Sequence, residues 1–166
     1  GNVTVSNSGD LTFATTASNV AGSLTATATN SGSINNTAAI AVTGNASFET
    51  TTAEEDINLN SLTVGGTLSV TTDALANTGN ATIVSGNAIN LGTSRVRGNL
   101  SITAGGPITN SSTLAVTGTS AFSTTTAPNG ITLTNVTLGG AASFNTVSAT
   151  SQADVSVTST STVTLG

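Results

Sequence analysis

Residues Gly44 to Val70 align without a gap on residues Gly118 to Phe144, 74 positions further along the chain. Phe48 falls on Phe122, Thr50-Thr51-Thr52 on Thr124-Thr125-Thr126, Ile57 on Ile131, and Gly65-Gly66 on Gly139-Gly140. The same offset carries Ile40–Gly44 onto Leu114–Gly118 and Ile89–Gly92 onto Val163–Gly166. After a two-residue slip, Val20–Leu24 also matches Val96–Leu100. The 166 residues are a little over two copies of one unit, a single β-rich segment spanning 1–166. Self-similarity of this kind points to a repeat architecture, in which each unit buries its apolar face by stacking on its neighbours.

A shorter period runs inside the long one. Apolar-polar-apolar triplets recur, among them Val3-Thr4-Val5, Leu11-Thr12-Phe13, Ile57-Asn58-Leu59, Leu62-Thr63-Val64, Leu68-Ser69-Val70, Leu100-Ser101-Ile102 and Ile131-Thr132-Leu133. Alternation at period two places both apolar side chains of a triplet on one face of a strand. Gly, Asn and Ser separate many triplets, as at Gly65-Gly66, Gly105-Gly106 and Asn110-Ser111-Ser112. These residues suit turns because they tolerate positive φ or hydrogen-bond their own backbone. Equivalent apolar positions return after 22 residues, from Ile40 to Leu62 and from Leu114 to Val136. The loop around Glu54-Glu55-Asp56 stretches one coil.

Two other folds fit this pattern less well. A hairpin meander calls for two-residue Asn-Gly or Asp-Gly turns. Only Asn129-Gly130 qualifies, and its counterpart in the first copy is Glu55-Asp56. Gly-Asn pairs such as Gly79-Asn80 leave the other hairpin turn open. A helical fold lacks material: Lys and Met are missing and Arg, Glu and Gln nearly so, while Thr, Val, Ser, Asn and Gly abound. Disorder is disfavoured by 36% hydrophobic residues and a mean hydropathy of +0.23. The expected fold is therefore all-β, a parallel β-solenoid with about 22-residue coils of three short strands. Inward Leu, Val, Ile, Ala and Phe would stack into a thin core, with Leu62, Leu68, Leu100, Leu114, Ile131 and Val136 among them. About seven rungs at ~4.8 Å would give a body roughly 33 Å long.

The stretch Gly98-Asn99-Leu100-Ser101-Ile102-Thr103-Ala104-Gly105-Gly106-Pro107-Ile108-Thr109-Asn110 resembles the haemagglutinin repeats of filamentous haemagglutinin-like bacterial exoproteins. Those repeats read approximately G-x-L-x-[IL]-x-A-G-G-x-I-x-N, and Ser112-Thr113-Leu114-Ala115-Val116 continues the pattern. The resemblance implies a right-handed parallel β-helix, secreted by a two-partner system onto the surface of Gram-negative cells. The 74-residue unit departs from the more even repeats of that family.

Composition narrows the chemistry. The chain has no His, Cys, Lys, Met, Trp or Tyr, two arginines (Arg95 and Arg97) and seven acidic residues, for a net charge of -5. Without Cys or His it has no disulfide, no zinc site of the usual kinds and no thiol or imidazole catalysis. Nucleic acid needs a basic footprint that two arginines do not supply. No apolar run reaches the length of a membrane span, and residue 1 onward lacks the charged-then-apolar order of a signal peptide.

Four features invite a functional reading, and each has a plainer one. Glu54-Glu55-Asp56 offers carboxylates for Ca²⁺ or glycoside cleavage. Its aligned loop, Pro128-Asn129-Gly130, has none, so a solvated loop is the favoured reading. Asp10, Asp73 and Asp154 stand alone. The Thr triplets and Thr25-Ala26-Thr27-Ala28-Thr29 suggest an ice-ordering face, but outward Thr also suits any solvated strand. Asn-x-Ser/Thr sequons at Asn2, Asn35, Asn45, Asn80, Asn99, Asn110 and Asn135 arise readily in such a composition. Arg95 and Arg97 flank Val96 and share a face if that stretch is extended. No catalytic, cofactor-binding or metal-ligating residue is assigned, and no cofactor is expected.

The expected function is structural: a rod-like segment of a secreted bacterial surface adhesin or extracellular filament, and not an enzyme. A carbohydrate- or ice-binding solenoid is the alternative, and a pectin-lyase-like enzyme a more distant rival that lacks its clustered long side chains. The pattern is still apolar and in register at Val3-Thr4-Val5 and at Val163-Thr164-Leu165. That predicts cover from further repeats of the same chain or from end-to-end self-association, with a host or matrix surface as a further partner.

Overall fold

The apolar-polar-apolar triplets fold as short strands, each burying one side and hydrating the other. In the computed structural model, which describes residues 1–14, 16–52, 54–72, 78–147 and 153–166, every triplet named above lies in a strand. The first coil is β1 (Val3–Ser8), β2 (Leu11–Phe13) and β3 (Ser18–Val20). The second is β4 (Leu24–Thr29), β5 (Ile34–Asn36) and β6 (Ile40–Val42), and the third β7 (Ala46–Thr50), β8 (Ile57–Leu59) and β9 (Leu62–Val64). Each strand pairs with its equivalent one coil on: Leu24 lies between Val3 and Ala46, Ile34 between Leu11 and Ile57, and Ile40 between Ser18 and Leu62. All pairings between described strands are parallel. The chain is a β-solenoid of about 7 turns.

Each of these coils has one long strand on one side and two short strands on the other. Next comes β10 (Leu68–Thr71), stacked on the long β7. The chain then departs from the simple order. The following long strand, β11 (Ala81–Ser85), sits over the short β8, pairing Ala81 with Ile57. The long β10 is instead covered by two short strands, β12 (Ile89–Leu91) and β13 (Ser94–Val96), through Leu68–Leu91 and Thr71–Arg95. The four residues Leu68–Thr71 of β10 face the five residues Leu91–Arg95 of the upper layer, so the upper chain takes up one extra residue between its two strands.

The exchanged arrangement then holds. The long β14 (Leu100–Ala104) covers β11, while β15 (Ile108–Asn110) and β16 (Leu114–Val116) cover β12 and β13. Long β17 (Ser120–Thr124) follows on β14, and the next two short strands run together as one strand, β18 (Ile131–Leu138), with Leu114 paired to Val136. The long β19 (Ala141–Asn145) lies on β17. A second exchange follows: long β20 (Val155–Ser159) covers β18, and short β21 (Thr164–Leu165) covers β19. One sequence unit is thus three coils plus one extra long strand, or three and a half coils. Each unit swaps the long side for the two-strand side, and two units restore the original order. The eight-stranded sheet spans about 34 Å from first to last strand at ~4.8 Å per rung.

The inward row is mostly apolar, with Asn36, Thr50, Thr72, Ser85, Ser94, Ser120 and Thr124 as its buried polar members. Leu62, Leu68, Leu100, Leu114, Ile131 and Val136 are all buried, and Phe48 and Phe122 are fully enclosed. Phe13 meets Phe48 edge-on at 6.4 Å, and Phe122 stacks on Phe144 at 5.5 Å, both favoured aromatic geometries. Thr132 points to solvent as its alternation requires, and Thr63 is half-buried.

Candidate functional site

Where the chain turns a corner, its backbone N–H leaves the strand ladder and needs another acceptor. Short polar side chains supply it, one rung to the next. Asn2 Oδ1 accepts from the Ser23 N–H at 2.9 Å, Ser23 Oγ from the Asn45 N–H at 3.3 Å, and Asn45 Oδ1 from the Thr67 N–H at 2.9 Å. A second row starts at Asp10, whose Oδ1 accepts from the Ser33 N–H at 2.9 Å. Ser33 Oγ accepts from Asp56 at 3.2 Å, Asp56 from Asn80 at 2.7 Å, Asn80 from Asn99 at 2.9 Å, and Asn99 from Thr119 at 2.8 Å. This row passes through the exchange of sides without a break.

The acidic cluster dissolves into this framework. Asp56 is a rung of the corner row and also accepts from Asn80 Nδ2 at 3.2 Å. Glu55 Oε2 accepts from the Ser33 hydroxyl at 2.8 Å. Only Glu54 is exposed, with a left-handed backbone at φ +69°. Asp56 and Glu55 are therefore half-buried parts of the coil rather than members of a solvated loop. Among the described residues no three His, Cys, Asp or Glu side chains come together as metal ligands. Asp10 belongs to the corner row, the Asp154 side chain is exposed, and Asp73 lies outside the described residues. If Asp56 serves as a corner acceptor, Asp56→Asn should leave the melting midpoint nearly unchanged. Asp56→Ala should cost about 1–3 kcal/mol in a denaturant melt, because it strands the Asn80 N–H.

The sequon asparagines follow the same logic. Asn2, Asn45, Asn80, Asn99 and Asn110 each accept a backbone N–H from the next rung, the last from Thr134 at 2.7 Å. Asn35 accepts from Asn58 Nδ2 at 3.3 Å, and Asn135 is exposed with φ +54°. The Thr triplets do not form a flat face. Thr50 and Thr124 continue the inward row and are buried, donating to the carbonyls of Glu55 (3.3 Å) and Asn129 (2.9 Å). Thr51 and Thr125 donate to Ala28 and Ala104 on the rung below. Thr25, Thr27 and Thr29 do face outward, stacked on Thr4, Ser6 and Ser8 below, with Ser47 and Glu49 above Thr25 and Thr27. Glu49, Thr71 and Arg95 form one column on successive rungs, with Glu49 and Arg95 exposed. Arg97 follows β13, half-buried, its N–H donating to Thr72 Oγ1 at 2.9 Å.

Shallow recesses open on the surface of the described residues. One of about 420 Å³ lies along β3, β6 and β9, where Asn19, Ala41 and Thr63 are small outward side chains. Another, about 570 Å³, opens at the last coil against Phe144, Val155, Val157, Val163 and Leu165. Neither is lined by a charged side chain. A family described as repeats of unknown function (DUF5649) matches residues 1–62 and 78–145. The chain belongs to this family. The matched segments of these DUF5649 repeats open just before β1 and just before β11, strands that occupy the same place in the unit. The interval between them holds β10, the extra long strand. No curated protein and no solved structure matches the chain.

Proposed function

We propose that these DUF5649 repeats are a structural, rod-forming segment of a secreted bacterial surface adhesin or extracellular filament, without catalytic activity of their own. The observation that carries this reading is continuity. The inward apolar row and the corner hydrogen bonds cross the junction between units, so the units add length without adding a hinge. The outer faces are neutral Ser, Thr and Asn over most rungs, a surface suited to hydration. The haemagglutinin-repeat resemblance of Gly98–Val116 supports the extracellular, Gram-negative setting. The outward hydroxyl rows of β1, β4 and β7 favour carbohydrate or ice binding as the second reading.

One insertion separates the two. Placing a second copy of residues 18–93 after Thr93 adds one unit in register. A structural rod should lengthen by about 17 Å, three and a half rungs at ~4.8 Å, with its cross-section unchanged in small-angle scattering. The same protein should give no thermal hysteresis and no saturable glycan binding. A particle that widens or unfolds would count against the rod. Binding lost on Thr25→Val and Thr27→Val would transfer the function to the hydroxyl face.

A further inference from the structure

We infer that Asn135 is the residue of the folded chain that accepts an N-linked sugar. Asn-x-Ser/Thr is the acceptor pattern for such a sugar, and a bulky, hydrated glycan requires an amide free at the surface. Of the seven sequons, six have their asparagine committed to the coil. Asn2, Asn45, Asn80 and Asn99 accept the N–H groups of Ser23, Thr67, Asn99 and Thr119 on the next rung. Each also lies beneath a glycine of that rung, Gly22, Gly66, Gly98 or Gly118, where even an added methyl would overlap its Oδ1. A sugar has no room in these corners. Asn110 is held at both ends of its amide, accepting from the Thr134 N–H at 2.7 Å and donating to the Ser112 carbonyl at 2.6 Å. Asn35 is half-buried and accepts from Asn58 Nδ2 on the next rung.

Asn135 differs from all of these. Its side chain is exposed and hydrogen-bonds no described residue. It stands where the two halves of β18 meet, at the register shift between Leu133 and Val136 in the pairing with β20. Its backbone is left-handed, at φ +54°. The corner itself does not demand that conformation, because Ser61, 74 residues earlier, fills the same place without a positive φ. A left-handed outlier in a strand is a position where function is to be sought. The backbone on either side is fixed. Asn110 holds Thr134 from below, while the Thr160 N–H and the Ser159 hydroxyl each donate to the Val136 carbonyl at 2.9 Å. Thr137, the hydroxyl residue of the sequon, is exposed as well, with its Oγ1 2.9 Å from that of Thr160. The chain thus presents one unengaged sequon amide on a rigid outward bulge. The first copy reads Ser61-Leu62-Thr63 here, so the sugar marks one unit and not the other.

The donor is a nucleoside-diphosphate sugar and the catalyst a separate transferase. Asn135 Nδ2 forms a bond to C1 of the sugar as the bond from C1 to the diphosphate oxygen breaks. The nucleoside diphosphate leaves with the bonding pair, and the amide gives up one proton. The test uses a soluble N-glycosyltransferase that modifies an unstructured peptide of residues 132–140, with its nucleoside-diphosphate hexose. The folded chain should gain one hexose by mass, and peptide mapping should place it on Asn135. Asn135→Asp, which tolerates the left-handed backbone but offers no amide, should cut incorporation at least tenfold with the melting midpoint unchanged. Thr137→Val should do the same through loss of the sequon hydroxyl. A folded chain left unmodified while the peptide is fully converted would overturn the inference. Hexose shared equally among Asn135, Asn45, Asn80 and Asn99 would overturn it too. Either result would leave the rod reading standing, since that reading falls only if the inserted unit fails to lengthen the particle.

Discussion

Replacing Phe122 with alanine is expected to lower unfolding free energy by about 3–5 kcal/mol in a urea melt. Phe122 is 1% exposed, sits in register between Ile102 and Phe144, and stacks on the Phe144 ring at 5.5 Å. Its neighbours on the rungs below and above hold the space around it, so both the transfer cost and the cavity cost are felt. Thr132→Ala, on the outward side of β18, should stay within about 0.5 kcal/mol. The opposite ordering would mean that the inward and outward sets are exchanged, as a one-residue slip would produce.

Gly105→Ala should be as damaging for a different reason. A Cβ on Gly105 would overlap the Gly86 carbonyl oxygen and stand 2.6 Å from its carbon. The obstacle is backbone on the rung below, held by the Gly105 N–H bond to Ser85 at 2.8 Å, and no rotamer change relieves it. Overpacking in cores costs about 1–3 kcal/mol where side chains yield. Here rungs must separate, so a loss of about 3 kcal/mol or more is expected by the same melt. Gly86→Ala is the matched control: its added methyl meets no atom within 4 Å, and the change should fall within about 0.5 kcal/mol.

The coil was legible because two periodicities agree. Alternation sets which side chains turn inward, and the 22-residue return of Ile40 to Leu62 and Leu114 to Val136 sets which strands pair. The exchange of sides does not show in the alternation, although its signal lies in the same numbers: 74 residues do not make a whole number of 22-residue coils. Triplets such as Leu68-Ser69-Val70 look alike whether the strand is long or short, so alternation alone does not show that β10 and β11 are successive long strands. The corner rows were also open to reading. Asn2, Ser23, Asn45 and Thr67 each follow a glycine at nearly one-coil spacing, yet as turn residues and sequons they carry no mark of what accepts which proton. Asp56 misleads because its acidic neighbours suggest a site. Its partner is the backbone of Asn80, a contact between residues 24 positions apart that local sequence does not reveal.

The exchange between β10 and the strands above it distinguishes this solenoid most sharply from a plain stack of identical coils. Thr71 on β10 has Arg95 of β13 as its neighbour on the next rung, while Val84 of β11 lies in the other sheet. Spin labels at Thr71→Cys and Arg95→Cys, both outward, should lie within about 10 Å and broaden the continuous-wave spectrum strongly. Labels at Thr71→Cys and Val84→Cys, facing out from opposite sheets, should leave it narrow. Broadening for the Val84 pair and none for the Arg95 pair would show long strand stacked on long strand, and would contradict the three-and-a-half-coil unit.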